Sequence, residues 1–151
     1  MWLKNYQNIF LNGNDENLEN IKKDILKINS EINIHIGKYV ALNLNEFDMN
    51  SKYLVFSGIG NHQTFVSMIK NYGFDICKNL EFPDHYIYKK KDIKKILKLS
   101  EEMNCKIITT EKDYLRLNHD NTDKIKFIKS DLKILDEEKL INVIMKKNEA
   151  N

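Results

Sequence analysis

The feature that most constrains the fold is the alternation of short apolar runs with segments that carry apolar residues at helical spacing. Apolar residues that recur every three or four positions indicate an amphipathic helix, and short runs bounded by turn residues indicate strands. Strands that alternate with helices are joined by crossovers, which place the strands parallel to one another. The sequence therefore predicts an α/β protein: an open, mostly parallel sheet with helices on both faces, an α/β/α sandwich.

The pattern also sets approximate limits for each element. The predicted strands cover residues 6–11, 32–36, 53–56, 74–82, 106–108 and 125–128. The predicted helices cover residues 18–28, 62–72, 92–103, 111–117 and 136–145. His35 alternates with the isoleucines of the second strand, so we expect a solvated histidine there and not a ligand. The apolar faces of the third and last helices contain Ile93, Ile96, Leu97 and Met103, and Leu140, Ile141, Ile144 and Met145.

Length and composition indicate a cytoplasmic globular protein. We expect residues 1–151 to form a single α/β domain, with a frayed tail over residues 146–151. A net charge of +2, from 24 basic and 22 acidic residues, argues against a nucleic-acid partner. The sequence contains no apolar run long enough to span a bilayer, and we expect no secretory signal. Two separate cysteines and no zinc-ligand spacing favour reduced thiols and no metal ligands.

The first candidate motif is a glycine-rich turn between a strand and a helix, Gly58-Ile59-Gly60-Asn61. Such a turn exposes backbone N–H groups at the positive end of a helix, which favours an anion or a phosphate. The dinucleotide fingerprint fails because Gln63 stands where a third glycine is needed. The alternative interpretation is a tight turn in which Asn61 is the helix N-cap.

The second motif is Phe82-Pro83-Asp84-His85, at the end of the next predicted strand. An aspartate beside a histidine can orient the imidazole, relay a proton or bind a base or ribose. The alternative is a surface turn. We rank His85 above His35, His62 and His119, because a proline makes its loop rigid and it lies at a strand end.

The third motif is Thr109-Thr110-Glu111-Lys112-Asp113. Thr110 can cap a helix whose third residue is Asp113, in a pattern close to a capping box. The functional alternative places the charges of Glu111, Lys112 and Asp113 at the mouth of the sheet. A lysine there could bind a phosphate, and an acid could hold Mg²⁺ through water.

Taken together, in this order and spacing, the three motifs resemble the C-terminal half of the tetraacyldisaccharide 4'-kinases, the lipid A 4'-kinases. The close match covers about Tyr53 to Leu117. Its motifs are Phe56-Ser57-Gly58-Ile59-Gly60-Asn61, then Phe82-Pro83-Asp84-His85 with Tyr88, and then Ile108-Thr109-Thr110-Glu111-Lys112-Asp113 with Leu117. The resemblance implies a P-loop kinase of two α/β domains. Such a kinase transfers the γ-phosphate of ATP, with Mg²⁺, to the 4'-hydroxyl of a disaccharide lipid at the cytoplasmic face of the inner membrane.

The resemblance also implies which residues approach the nucleotide. Asp84 and His85 would lie nearest to it, and a second group would line the same side of the cleft: Gly58, Gly60, Asn61, Thr110, Glu111, Lys112 and Asp113. The family's other half carries the Walker A loop, the Mg²⁺ ligands and the catalytic acid. In this sequence the one Gly-Lys pair, Gly37-Lys38, is followed by Tyr39 and forms no P-loop. We therefore assign no catalytic residue to this chain.

These observations lead to one expectation and two alternatives. We expect the C-terminal part of a lipid A kinase, inactive as an isolated chain, which binds ATP, Mg²⁺ and the lipid disaccharide mostly through a separate N-terminal half. The first alternative is a non-catalytic module that binds a nucleotide or an anion. The second is a structural remnant of a split kinase gene with an exposed former interface.

Overall fold

The computed structural model describes residues 2–13, 15–117 and 122–148. The backbone divides into two compact units. Unit 1 consists of Met1–Val40 and Leu132–Asn151, and unit 2 consists of Ala41–Asp131. The single-domain organisation of residues 1–151 stays a prediction.

Strands and helices alternate along most of the chain. The strands are β1 (Asn8–Asn12), β2 (Asn33–Ala41), β3 (Lys52–Ser57), β4 (Asp75–Glu81), β5 (Lys106–Thr110), β6 (Ile125–Ile128) and β7 (Ser130–Ile134). The helices are α1 (Asp15–Ile28), α2 (His62–Asn71), α3 (Lys90–Glu102), α4 (Glu111–Tyr114) and α5 (Glu137–Asn148). Short 3-10 helices lie at Trp2–Asn5, Leu44–Glu46 and Thr122–Lys124.

Unit 2 contains a four-stranded sheet in the order β4-β3-β5-β6, in which every neighbouring pair is parallel. Successive residues of β3 point to opposite faces of this sheet. Tyr53 and Val55 pack in one buried cluster with side chains of α2, and Leu54 and Phe56 pack in another with side chains of α3. The predicted parallel sheet with helices on both faces is therefore confirmed in unit 2.

The two residues predicted to begin and end α2, Asn61 and Gly73, have these roles in the structure. The Asn61 side chain accepts a hydrogen bond from the Thr64 N–H at 3.0 Å, so it caps the helix. At the other end, Gly73 adopts a φ of +86°, in the left-handed region that favours glycine. Between these limits Phe65 and Ile69 are buried on the face that packs against the sheet.

Unit 1 is built on a three-stranded sheet in the order β1-β2-β7. β1 and β2 are parallel, in a register that runs from Asn8 opposite Asn33 to Asn12 opposite Gly37. A Cβ atom at Gly37 would lie 2.5 Å from Phe10 Cζ and 2.9 Å from Leu132 Cδ1. Glycine is required there because both neighbouring side chains cover its backbone.

The prediction that His35 is solvated is wrong. Its side chain is 1% exposed, and its Nδ1 lies 2.8 Å from Asp136 Oδ2. The carboxylate compensates for the loss of water around the imidazole. Strand alternation could not reveal this pairing, because Asp136 lies 101 residues further along the chain.

Several other details differ from the sequence pattern. The α/β class is confirmed, but the strands form two sheets instead of one, because apolar periodicity does not define which strands pair. β7 was not predicted. Met103 is 37% exposed at the end of α3 instead of buried.

The last helix extends further than expected and is only partly covered. α5 reaches Asn148, within the tail predicted to fray, and residues 149–151 lie outside the described part. Ile141, Ile144 and Met145 of its predicted apolar face are exposed. Within the described residues, every helix is too short or too polar to traverse a bilayer.

The packing of α2 on its sheet can be tested with Ile69→Ala. Ile69 is fully buried, so we expect the free energy of unfolding to fall by about 2–5 kcal/mol. Urea denaturation followed by circular dichroism measures this change. The matched control is Ile87→Ala, since Ile87 is 80% exposed in the same unit. Equal losses in both variants would contradict the assigned helix face.

Candidate functional site

The three sequence motifs meet at one edge of the unit 2 sheet. β3, β4 and β5 are parallel, so their carboxyl ends lie at the same edge. The loops that follow them are 58–61, 82–89 and the segment that begins α4 at residue 111. Ligands of open α/β sheets bind outside this edge, which makes the three loops the candidate site.

The carboxylate of Asp113 joins the three loops. It is fully buried, and its Oδ1 accepts hydrogen bonds from the Gly58 N–H at 3.1 Å and the Tyr88 hydroxyl at 3.0 Å. Its Oδ2 accepts from the Thr110 hydroxyl at 2.6 Å. Thr110 in turn accepts from the Asp113 N–H at 3.1 Å, which is the predicted helix cap. One side chain therefore fixes the positions of all three motifs.

Arg116 completes this network with a positive charge. Its Nη1 lies 3.4 Å from Asp113 Oδ1 and donates to the Gly58 carbonyl at 3.1 Å. A buried carboxylate requires such a partner, because an uncompensated charge in the interior is strongly unfavourable. Burial, together with the Asp113 carboxylate, raises the pKa of Tyr88 far above its ordinary value. Tyr88 therefore remains a hydrogen-bond donor to Asp113.

Gly58 is required by the close approach of the second loop. A Cβ atom there would lie 3.0 Å from the Pro83 carbonyl oxygen, 3.0 Å from Tyr86 Cβ and 3.2 Å from the Tyr88 hydroxyl. At Gly60 the nearest atom would be Asp84 Oδ2, at 3.4 Å. The first glycine thus has a packing role, whereas the second is exposed and leaves its backbone accessible.

His85 is the exposed member of the arrangement. Its φ is +58°, and its N–H donates to the Gly58 carbonyl at 3.0 Å and to Asp84 Oδ1 at 2.9 Å. Its ring Nδ1 lies 3.2 Å from Arg116 Nη2. A guanidinium can only donate, so Nδ1 is the acceptor and the ring proton resides on Nε2. The side chain is 80% exposed, and its Nε2 lies 3.9 Å from Oδ2 of the exposed Asp84 carboxylate.

Asn61 and His62 have structural partners at the start of α2. The oxygen of Asn61 is used as the helix cap, in agreement with the structural alternative of the sequence analysis. His62 is 1% exposed, and its Nδ1 lies 2.6 Å from Ser57 Oγ. Burial lowers the pKa of His62, an effect that the carboxylates of Glu81 and Asp113 partly offset. His62 is thus a neutral, buried ring.

The predicted charged mouth of the sheet is only partly present. Glu111 and Lys112 are exposed on α4. Asp113 is buried, and its carboxylate accepts hydrogen bonds from four donors. Within the described residues, no three His, Cys, Asp or Glu side chains are grouped as metal ligands would be. The network itself therefore does not provide a metal site.

Neither Arg116 nor Tyr88 has a role that follows from the sequence motifs alone. One signal for Arg116 was available: it is the only arginine in a sequence with 24 Lys and Arg residues. A guanidinium can donate to several acceptors in a fixed plane, which a lysine ammonium cannot reproduce. At position 116 this geometry is used, because the guanidinium contacts the Gly58 carbonyl, Asp113 and the His85 ring.

The fold and the loop network define an α/β protein with a candidate ligand site at the carboxyl edge of a parallel sheet. Residues 3–149 match the model of the tetraacyldisaccharide-1-P 4'-kinase family, LpxK. The chain belongs to this family.

Its similarity to individual family members agrees with this assignment. The chain is 54% identical over 149 residues to the tetraacyldisaccharide 4'-kinase of Pelagibacter ubique, which covers 99% of this chain and 48% of that protein. The enzyme of the same name from Rickettsia typhi is 36% identical over 124 residues, which is 80% of this chain and 38% of that protein. The chain thus spans about half the length, or less, of these curated relatives.

One solved structure is also similar to the chain. It is the crystal structure of the "apo" form of LpxK from Aquifex aeolicus in complex with ATP. The TM-score is 0.45 at 19% sequence identity, over 92% of this chain and 51% of that one.

The role of Asp113 can be tested with Asp113→Asn. The amide replaces one acceptor oxygen of the carboxylate with a donor group and removes the negative charge that balances Arg116. We expect the free energy of unfolding to fall by about 2–4 kcal/mol, measured by urea denaturation. Asp84→Asn is the matched control, because the Asp84 side chain is 53% exposed, and it should change little. A stability loss no larger than that of the control would contradict the proposed network.

The buried state of His62 predicts a pH dependence of stability. Its pKa is lowered from 6.5, so below that pH the unfolded chain binds a proton that the folded ring does not. The contribution of His62 to the free energy of unfolding is therefore fully present above about pH 6.5. It decreases as the pH falls, by up to about 1.4 kcal/mol per pH unit. Urea denaturation between about pH 8 and pH 5 should show a shallower slope for His62→Asn, which keeps an acceptor for Ser57. Identical slopes would show that His62 titrates normally in the fold.

Proposed function

We propose that this chain is the part of a lipid A 4'-kinase that presents the loops around His85 to the nucleotide. In this function, the γ-phosphate of ATP is transferred to the 4'-position of a tetraacyldisaccharide 1-phosphate. The observation that supports the proposal is the Asp113 network, which holds three loops at one sheet edge and leaves His85 exposed. Membership of the kinase family supplies the substrate class.

The exposed groups of this edge fit a polyanionic nucleotide. Nε2 of His85 carries the ring proton and can donate to a phosphate or ribose oxygen. Arg116, at 27% side-chain exposure, adds positive charge next to that ring. The exposed backbone at Gly60 lies at the start of α2, where the helix dipole favours negative charge. ATP supplies the phosphoryl group, and His85, Arg116 and the backbone at Gly60 bind and orient the nucleotide.

Mg²⁺ fits this half of the protein poorly. The Asp113 carboxylate already accepts four hydrogen bonds, and the described residues contain no cluster of metal-ligating side chains. Any carboxylate ligands for Mg²⁺ would then come from the family's other half.

We also propose that the chain alone has negligible kinase activity. Phosphoryl transfer depends on a phosphate-binding loop, a metal ion and a positioned base. The Gly37-Lys38 pair lies inside β2, and Gly37 is covered by Phe10 and Leu132. Activity would require the family's other half, and the lipid substrate would place the assembled enzyme at the inner face of the membrane.

The proposal is tested by titrating the chain with ATP and observing its amide resonances. We expect shifts at Gly60 and His85, and affinity about tenfold weaker for Arg116→Lys, because an ammonium cannot donate to Gly58, Asp113 and His85 together. Lys94→Gln on the exposed side of α3 is the control and should leave the affinity unchanged. Shifts absent from all three loops would contradict the nucleotide site.

A turnover assay separates the kinase from a binding module that has no catalytic partner. The chain is incubated with ATP, Mg²⁺ and the disaccharide lipid, alone and with the part of the Pelagibacter ubique relative that it does not match. We expect turnover only in the mixture. Turnover by the lone chain would refute its proposed inactivity, and nucleotide binding without turnover in the mixture would favour the non-catalytic module.

A further inference from the structure

Helix α3 and the residue before it carry the densest positive charge of the chain. Six of the ten residues 89–98 are lysines, and all six are exposed. Four of them recur at i, i+3, i+4 and i+7, the spacing that places side chains on one face of a helix. These four residues, which we call the lysine stripe, are Lys91, Lys94, Lys95 and Lys98.

The packing of α3 turns the lysine stripe away from the sheet. Ile93 and Ile96, on the other side of the helix, are 2% and 1% exposed and pack in the same cluster as Leu54 and Phe56 of β3. The helix follows β4 and precedes β5, which are both parallel to β3. It therefore begins at the carboxyl edge of the sheet, where the loops of the candidate site lie, and the stripe faces solvent from there.

The carboxylates that the structure describes near the stripe offset little of its charge. Asp92 is the one acid in residues 89–98, and its Oδ2 accepts hydrogen bonds from the Lys89 N–H at 2.9 Å and the Tyr86 hydroxyl at 3.1 Å. Asp92 thus caps the helix on the side of the preceding loop. Lys98 Nζ lies 3.6 Å from Glu102 Oε1, but both side chains are largely exposed, and such pairs contribute little. Positive charge therefore dominates the first turns of the stripe.

The stripe has the chemistry of a contact with a charged surface and not that of a selective pocket. A lysine ammonium is a strongly hydrated point charge on a flexible stem, whereas recognition of one particular phosphate favours the planar fork of arginine. Single-stranded nucleic-acid sites add aromatic or guanidinium groups that stack on the bases, and the stripe consists of lysines alone. We therefore expect attraction to many anionic groups in one plane, as in a layer of lipid headgroups.

An exposed apolar side chain lies where the loop leads into α3. Ile87 is 80% exposed, the largest exposed fraction among the described large apolar residues. Its neighbours are held in place, since the Tyr86 hydroxyl donates to Asp92 and the Tyr88 hydroxyl donates to Asp113. At a bilayer surface, an apolar side chain enters the boundary between headgroups and acyl chains while lysines stay at the headgroups. Ile87 and the stripe together match this pattern.

We propose that the lysine stripe and Ile87 contact a bilayer surface that carries anionic headgroups. The choice of a membrane as the partner rests on the proposed function, in which the loops of the candidate site must reach an acylated disaccharide phosphate held in a bilayer. Because α3 begins at the same sheet edge as those loops, contact through its first turns brings that edge toward the headgroups. The charge pattern of α3 itself does not depend on the proposed function.

The test is co-sedimentation of the chain with lipid vesicles. We expect binding to vesicles that contain anionic phosphatidylglycerol, much weaker binding to vesicles of phosphatidylcholine alone, and a loss of binding as the salt concentration rises. The double variant Lys91→Glu/Lys95→Glu should weaken binding to the anionic vesicles at least about tenfold, because each lysine near an anionic surface strengthens binding about fivefold. Ile87→Ser should weaken it at least about threefold by removing the apolar contact, without changing the salt dependence.

The matched control is the double variant Lys52→Glu/Lys70→Glu. Both lysines are exposed in the same unit and give the same change in net charge. They lie at the opposite edge of the sheet, because Lys52 begins β3 and Lys70 is in the last turn of α2. The control should bind the anionic vesicles within about twofold of the unmodified chain, since charges beyond a Debye length from the surface are screened. Circular dichroism and urea denaturation should show that all the variants remain folded, because every replaced side chain is exposed.

Each outcome gives a decision about the stripe. A selective loss of binding in the Lys91→Glu/Lys95→Glu variant supports the proposal. Absence of binding to anionic vesicles overturns it, and so does an equal loss in the control, because net charge alone would then explain the attraction. Binding of an RNA oligonucleotide that requires Lys91 and Lys95, without binding to vesicles, also overturns it. Because the assay contains no nucleotide, vesicle binding without ATP-induced shifts would count against the proposed function alone, and ATP binding without vesicle binding would count against this proposal alone.

Discussion

The structure of the candidate site depends on one buried carboxylate. Asp113, in the segment after β5, accepts hydrogen bonds from Gly58 and Tyr88, which lie in two loops far from it in sequence, and from Thr110 at the end of β5. Arg116 balances its charge and also contacts the carbonyl of Gly58 and the ring of His85. The energy of a buried charge that accepts several hydrogen bonds depends strongly on where its donors lie. The Asp113 carboxylate therefore holds the loops in a single arrangement. This interior network fixes the position of the exposed His85 through Gly58 and its tautomer through Arg116.

The two units differ in how many of their described apolar side chains are buried. Unit 2 has a parallel sheet with apolar clusters on both faces, which satisfies the usual requirement for a stable α/β layer structure. Unit 1 has a parallel strand pair, a well-anchored helix and few buried apolar side chains. Unit 2 positions the three loops of the candidate site, and most of the exposed large apolar side chains among the described residues lie in unit 1.

Much of the fold could be predicted from the sequence, because it depends on local rules. The periodicity of α2, its Asn61 cap and its Gly73 terminator are local signals, and the structure has them where the sequence analysis placed them. Pairing between distant segments carries no such signal. His35 was expected in solvent and is buried against Asp136, and β7 was missed beside β2. These errors arise because burial is decided by which segments meet in space and not by their own alternation.

By itself the sequence determined the α/β class, the three loop motifs and the resemblance to the kinase family, since those depend on spacing and residue type. Only the tertiary structure decided what each motif residue does. It buried Asp113, used Asn61 as a cap and left His85 exposed. It also brought Arg116 next to His85 and left Ile141, Ile144 and Met145 of α5 exposed. The physical reason is that hydrogen bonds and burial depend on three-dimensional neighbours, and the sequence does not state which neighbours those are.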